Sequence, residues 1–129
     1  MARLVCNINL LTLFAVVVST GGNACAMGHG RSEAPRCTVS GAEKLLDGIG
    51  GADAICSAIH EADRRRAAGV DYAVEVRVEA ASMLSARITL NDGRTLPEQK
   101  LVLSDRSLNA GSIERFAASI AEAAAGAAN

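Results

Sequence analysis

From Tyr72 to Leu90 the chain alternates between apolar and polar side chains, and this period of two constrains the fold more than any other feature. Tyr72, Val74, Val76, Val78 and Ala80 interleave with Ala73, Glu75, Arg77 and Glu79; after a break at Ala81 and Ser82, Leu84, Ala86, Ile88 and Leu90 interleave with Ser85, Arg87 and Thr89. Neighbouring side chains on a strand point to opposite faces, so both segments are predicted strands with one buried and one wet face. Asn91-Asp92-Gly93-Arg94 follows, and Asp92-Gly93 is a hairpin signal because a tight turn needs positive φ. The returning strand is less regular. Leu96 and then Leu101 and Leu103 look inward, but their parity differs and Pro97 lies between them, so a bulge or break near Pro97 is expected.

Two helices flank this meander. Ala52, Ile55, Cys56, Ile59 and Ala62 recur at three- and four-residue spacing from Gly51, with Asp53, Ser57, Glu61, Arg64 and Arg65 on the other side. Asp53 in the first turn and Arg64, Arg65 and Arg66 in the last complement the helix dipole, and Gly69 is the expected stop. Near the C-terminus Ile113, Phe116, Ala117, Ile120, Ala121 and Ala124 form a second stripe, with Asn109 or Ser112 as cap and Gly126 beyond the end. Before the first helix, CTV from Cys37 reads as a short extended piece, and Ala42 to Leu46 as one helical turn. The predicted fold is a two-layer α+β sandwich. A small antiparallel sheet, a three-strand meander with room for a fourth short N-terminal strand, is covered on one face by two helices.

The N-terminus reads as an address. Arg3 precedes the apolar run Leu4 to Val18, and STGGNACA follows, which is the three-part pattern of a secretory signal. The run is shorter than the roughly 20 residues of a spanning helix and contains two Asn, so cleavage is expected over a permanent anchor. Ala24 and Ala26 place the cut before Met27. Cys25 as a lipidated first residue is disfavoured because Gly22, Asn23 and Ala24 precede it without the usual Leu. The expected organisation is residues 1–26 signal, 27–36 a Gly-rich charged leader and 37–129 one α+β domain. The destination is the bacterial periplasm or the medium, with no stable membrane span after cleavage.

Cleavage removes Cys6 and Cys25 and leaves Cys37 and Cys56 as the only thiols in an oxidising compartment, so a disulfide between them is expected. It would pin the apolar face of the first helix to the first extended piece. Loss of Arg3, the only charged residue before Met27, takes the formal charge from -1 to -2. That charge lacks the basic footprint of a nucleic-acid binder. The 2% aromatic content and the absence of Trp remove most side chains that stack on bases or sugars.

Few residues point to chemistry. After cleavage, Met27-Gly28-His29 resembles the amino-terminal copper and nickel binding motif. The amine, two amide nitrogens and the imidazole can close a square-planar set suited to Cu(II) or Ni(II). His60, flanked by Glu61 and Asp63 and with Arg at position 64, reads as a boundary histidine. The chain has no GxSxG elbow, and Gly48-Ile49-Gly50-Gly51 lacks the Lys and preceding strand of a phosphate loop. Glu75 and Glu79, four residues apart, read as salt-bridged, solvated charge on a wet strand face. The leading expectation is therefore an exported, non-catalytic accessory or interaction domain of the cell envelope. Its partner, an envelope protein, would dock along the free edge at Leu101, Val102, Leu103 and Ser104 by strand addition. The alternatives are a Cu(II)- or Ni(II)-binding protein using Met27, Gly28 and His29, and a small periplasmic enzyme.

Overall fold

The structure, a computed structural model, describes residues 34–66 and 69–129. The signal, the cleavage site and Met27, Gly28 and His29 lie outside the described residues. The elements run β1 (Arg36–Gly41), α1 (Glu43–Asp47), α2 (Gly51–Arg66), β2 (Tyr72–Ala80), β3 (Met83–Leu90), β4 (Gln99–Val102) and α3 (Ala110–Ala127). They form a four-stranded sheet in the order β1-β2-β3-β4, with helices packed on one face. The α+β sandwich is as the sequence pattern implies, but the sheet is mixed. β1 pairs parallel to β2, in register from Arg36 opposite Ala73 to Gly41 opposite Val78, while β2–β3 and β3–β4 are antiparallel. The reason is the connection: α1 and α2 carry the chain back across the sheet, and a helical crossover joins strands that run the same way.

The alternating residues divide as expected. Tyr72, Val74, Val76 and Val78 of β2 and Leu84, Ala86, Ile88 and Leu90 of β3 are buried under the helices, with Ile55 and Ile59 from α2 and Ile113, Phe116, Ala117, Ile120 and Ala124 from α3. The two helices pack on each other, α2 also against β1 and α3 against β3. The Cys37 and Cys56 sulfurs lie at bonding distance, 2.00 Å, and join β1 to α2. Next to this link, His60 Nε2 donates to the Pro35 carbonyl at 2.9 Å, which places a proton on that nitrogen and occupies the only histidine among the described residues.

Local chemistry sets the ends. Both candidate caps of α3 act together. Ser112 N–H donates to Asn109 Oδ1 at 3.0 Å and Asn109 N–H to Ser112 Oγ at 2.9 Å, a reciprocal capping box. Gly126 falls within the last turn of α3 instead of beyond it, because the Ala-rich stripe continues to Ala127. Between α1 and α2, Gly50 has φ +88°, and a Cβ there would stand 3.0 Å from the Ala54 Cβ, so the turn needs glycine on two grounds. After β3, Gly93 N–H donates to the Leu90 carbonyl at 2.9 Å with φ +87° at Gly93, a three-residue loop closing on glycine. Arg94 then donates to Asp92 at 2.6 Å and to the Ala127 carbonyl at 3.2 Å, tying the loop to the C-terminal end of α3.

Tyr72 carries the one side-chain polar atom among the described residues that is buried without a hydrogen bond, its hydroxyl. Burial, followed by the nearby Asp63 carboxylate, pushes the phenol well above its ordinary pKa.

Candidate functional site

The β4 edge of the sheet is built by a register change. Thr95 bridges Thr89, and Leu96 N–H donates to the Ile88 carbonyl at 2.9 Å, whereas Gln99 stands opposite Ala86. Between these pairs β3 advances two residues and the returning chain three. The extra residue is accommodated at Pro97–Glu98, where proline has no N–H to offer the ladder. This is the break that the parity of Leu96 against Leu101 implies.

Past the bulge, Leu103 N–H donates to the Ser82 carbonyl at 2.9 Å. Hydrogen-bonded pairs alternate along an antiparallel ladder, so Gln99, Leu101 and Leu103 turn their backbone toward β3, and Lys100 and Val102 turn theirs outward. Side chains alternate too. Leu101 and Leu103 lean on the core and stay half-buried, while Lys100 and Val102 stand on the face without helices, opposite Ser85 and Met83. Val102 is 56% exposed and is the only large hydrophobic residue left exposed among the described ones. Ser104 lies past the end of β4 in a bend, exposed.

Charge beside this edge is locally satisfied. A bulge between Val78 and Ala80 places Glu79 so that Ser85 Oγ donates to it at 2.8 Å and Lys100 Nζ lies 3.6 Å away. These two contacts, the hydroxyl first, hold the Glu79 carboxyl below its ordinary pKa. They also bury Ser85, which its parity alone places on a wet face. Sequence reading did not single out Lys100 or Met83 as neighbours of the edge. The parity of Lys100 with Val102 was the available signal, but Met83 is brought there only by strand pairing.

Elsewhere the surface carries two concavities and a set of ion-paired arginines. The open sheet face has a concavity of about 340 Å³ lined by Thr38, Ser40, Glu75, Arg77, Ser85 and Arg87. Between α2 and α3 a groove of about 530 Å³ has Ala58, Ala62, Ala118 and Ala121 along it. Arg64 and Arg65 both pair with Glu61 on their own helix, so two of the three arginines in the last turn of α2 are engaged within it. These arginines, Arg65 first, hold the Glu61 carboxyl below its ordinary pKa.

Among the described residues there is no group of three or more His, Cys, Asp or Glu placed to hold a metal ion. The candidate copper or nickel ligands Met27, Gly28 and His29 lie outside those residues. No described helix is long and apolar enough to cross a membrane. The chain matches no protein-family model, no curated protein and no solved structure.

Proposed function

We propose that the protein is an exported, non-catalytic interaction domain that works by accepting an extended strand along β4. One observation carries this reading: β4 is an edge whose Lys100 and Val102 backbone groups face outward beside the exposed Val102 side chain. An edge of this kind supplies main-chain hydrogen bonds for affinity and alternate side-chain positions for selectivity. Pro97, the bulge and Lys100 keep the edge short and charged, which limits indiscriminate pairing. Export is supported by the N-terminal signal pattern and is compatible with the Cys37–Cys56 link.

The test is a photo-crosslinking residue at Val102 in the producing cell, with the same residue at Glu122 on the exposed side of α3 as control. A discrete adduct from position 102, absent from position 122 and lost when Lys100→Pro blocks the outward N–H, is the expected result. No adduct at 102, or one indifferent to Lys100→Pro, refutes the proposal.

A further inference from the structure

We propose that the strand accepted by β4 is β4 of a second copy of this chain, paired antiparallel about Val102; this rests on the reading of β4 as a strand acceptor. The segment Leu101-Val102-Leu103 is palindromic, and antiparallel pairing across a twofold axis requires a surface that complements itself. With Val102 on the axis, its outward N–H and C=O exchange hydrogen bonds with their own counterparts. The two valine side chains then meet on the open face, where each copy already places Met83 beside Val102. On the helix side, Leu101 of one copy comes opposite Leu103 of the other, twice. Both leucines are half-buried at a margin of the core whose main neighbour is β3, so the second copy completes the burial that one copy leaves unfinished.

Charge selects this register. Pairing about Leu101 instead would set Val102 opposite Lys100 in both halves and bring the two ammonium groups to diagonal positions, about 7–8 Å apart in backbone terms. Pairing about Val102 sets Lys100 opposite Ser104, and each Lys100 stays beside its own Glu79 at 3.6 Å. The two Lys100 ammonium groups are then no longer diagonal neighbours. The contact is one short strand and its flanks, below the roughly 1,200 Å² of total area that stable complexes bury, so the dimer is an equilibrium species that dissociates on dilution.

The experiment is sedimentation of the oxidised exported chain from micromolar to millimolar concentration, beside Val102→Lys, which leaves the β3–β4 ladder intact, and Val102→Pro, whose lost N–H faces outward. We expect a reversible monomer–dimer equilibrium weakened at least about tenfold in both variants. Val102→Cys adds a register test. Hydrogen-bonded partners sit about 5.5 Å apart between Cα atoms, within disulfide range, so this variant should oxidise to a covalent dimer, whereas Lys100→Cys alone should not. A chain that stays monomeric throughout overturns self-pairing, while the Val102 adduct test still decides whether β4 accepts a strand from another protein. A dimer untouched by Val102→Lys and Val102→Pro, or crosslinked through Lys100→Cys and not Val102→Cys, also overturns it.

Discussion

Opening the Cys37–Cys56 link should cost this domain much of its stability. The bonded residues are 19 apart in sequence, and the chain-entropy relation for a loop of that length gives about 3 kcal/mol of stabilisation, acting by restricting the unfolded chain. For a domain of this size that loss lowers the midpoint of thermal unfolding by roughly 12–24 °C. The structure places the link between an edge strand and the helix above it, where His60 and Pro35 make a neighbouring contact, so the folded state retains its own means of holding β1. Urea unfolding of three samples measures the effect: oxidised protein, reduced protein, and the Cys37→Ala/Cys56→Ala double variant. Reduced and double-variant proteins should agree to within about 1 kcal/mol and both fall about 3 kcal/mol below the oxidised one. Native-state hydrogen exchange separates mechanisms. Under the entropic account, β1 amides and the α3 core lose protection together, because the global unfolding equilibrium has moved. A stability change below about 1 kcal/mol refutes the reasoning, as does fast exchange of β1 alone with α3 unchanged.

Other perturbations test separate features. Tyr72→Phe removes a buried hydroxyl that makes no hydrogen bond, so it should raise stability at neutral pH by about 1 kcal/mol; a comparable loss would mean that Asp63 accepts from it in solution. Because the folded Tyr72 pKa lies above the unfolded one, its contribution is present below about pH 10 and is lost as pH rises beyond it, so alkaline destabilisation should be shallower in Tyr72→Phe. Asn109→Ala leaves the Ser112 N–H without its acceptor and should cost about 1 kcal/mol in urea unfolding, whereas a neutral result would show that the capping box contributes nothing. Gly50→Ala should destabilise by more than the usual helix gain of alanine, about 1–2 kcal/mol, through its positive φ and the Ala54 approach. Ser85→Ala should return the Glu79 carboxyl toward the ordinary range in an NMR titration. The folded pKa is depressed, so any stability from this contact exists above the unfolded carboxyl value and vanishes as pH falls through the folded one.

Much of the architecture was legible because local periodicity reports which side of an element is buried. The alternation at Tyr72–Ala80 and Leu84–Leu90, the stripes of α2 and α3, the glycine turn at Gly93, the parity break at Pro97 and the pairing of Cys37 with Cys56 all follow from residues near one another or from elimination. The candidate edge was legible only in outline. Leu101 and Leu103 read as inward-facing and the structure keeps them half-buried with Val102 exposed between them, yet that Met83 of β3 stands beside Val102 depends on strand pairing.

What the amino-acid sequence determined by itself is the set of elements and their buried faces, because side-chain direction repeats with the backbone period whatever lies opposite. Tertiary structure alone decided that β1 lies parallel to β2, that Ser85 is buried beneath Glu79 and Lys100, that Arg94 reaches the end of α3, and that Val102 stands open beside Met83. Each of these is a meeting between segments far apart in the chain. Periodicity gives a strand two faces but does not name its neighbours, and neighbours are what leave β4, like β1, at an edge of this sheet.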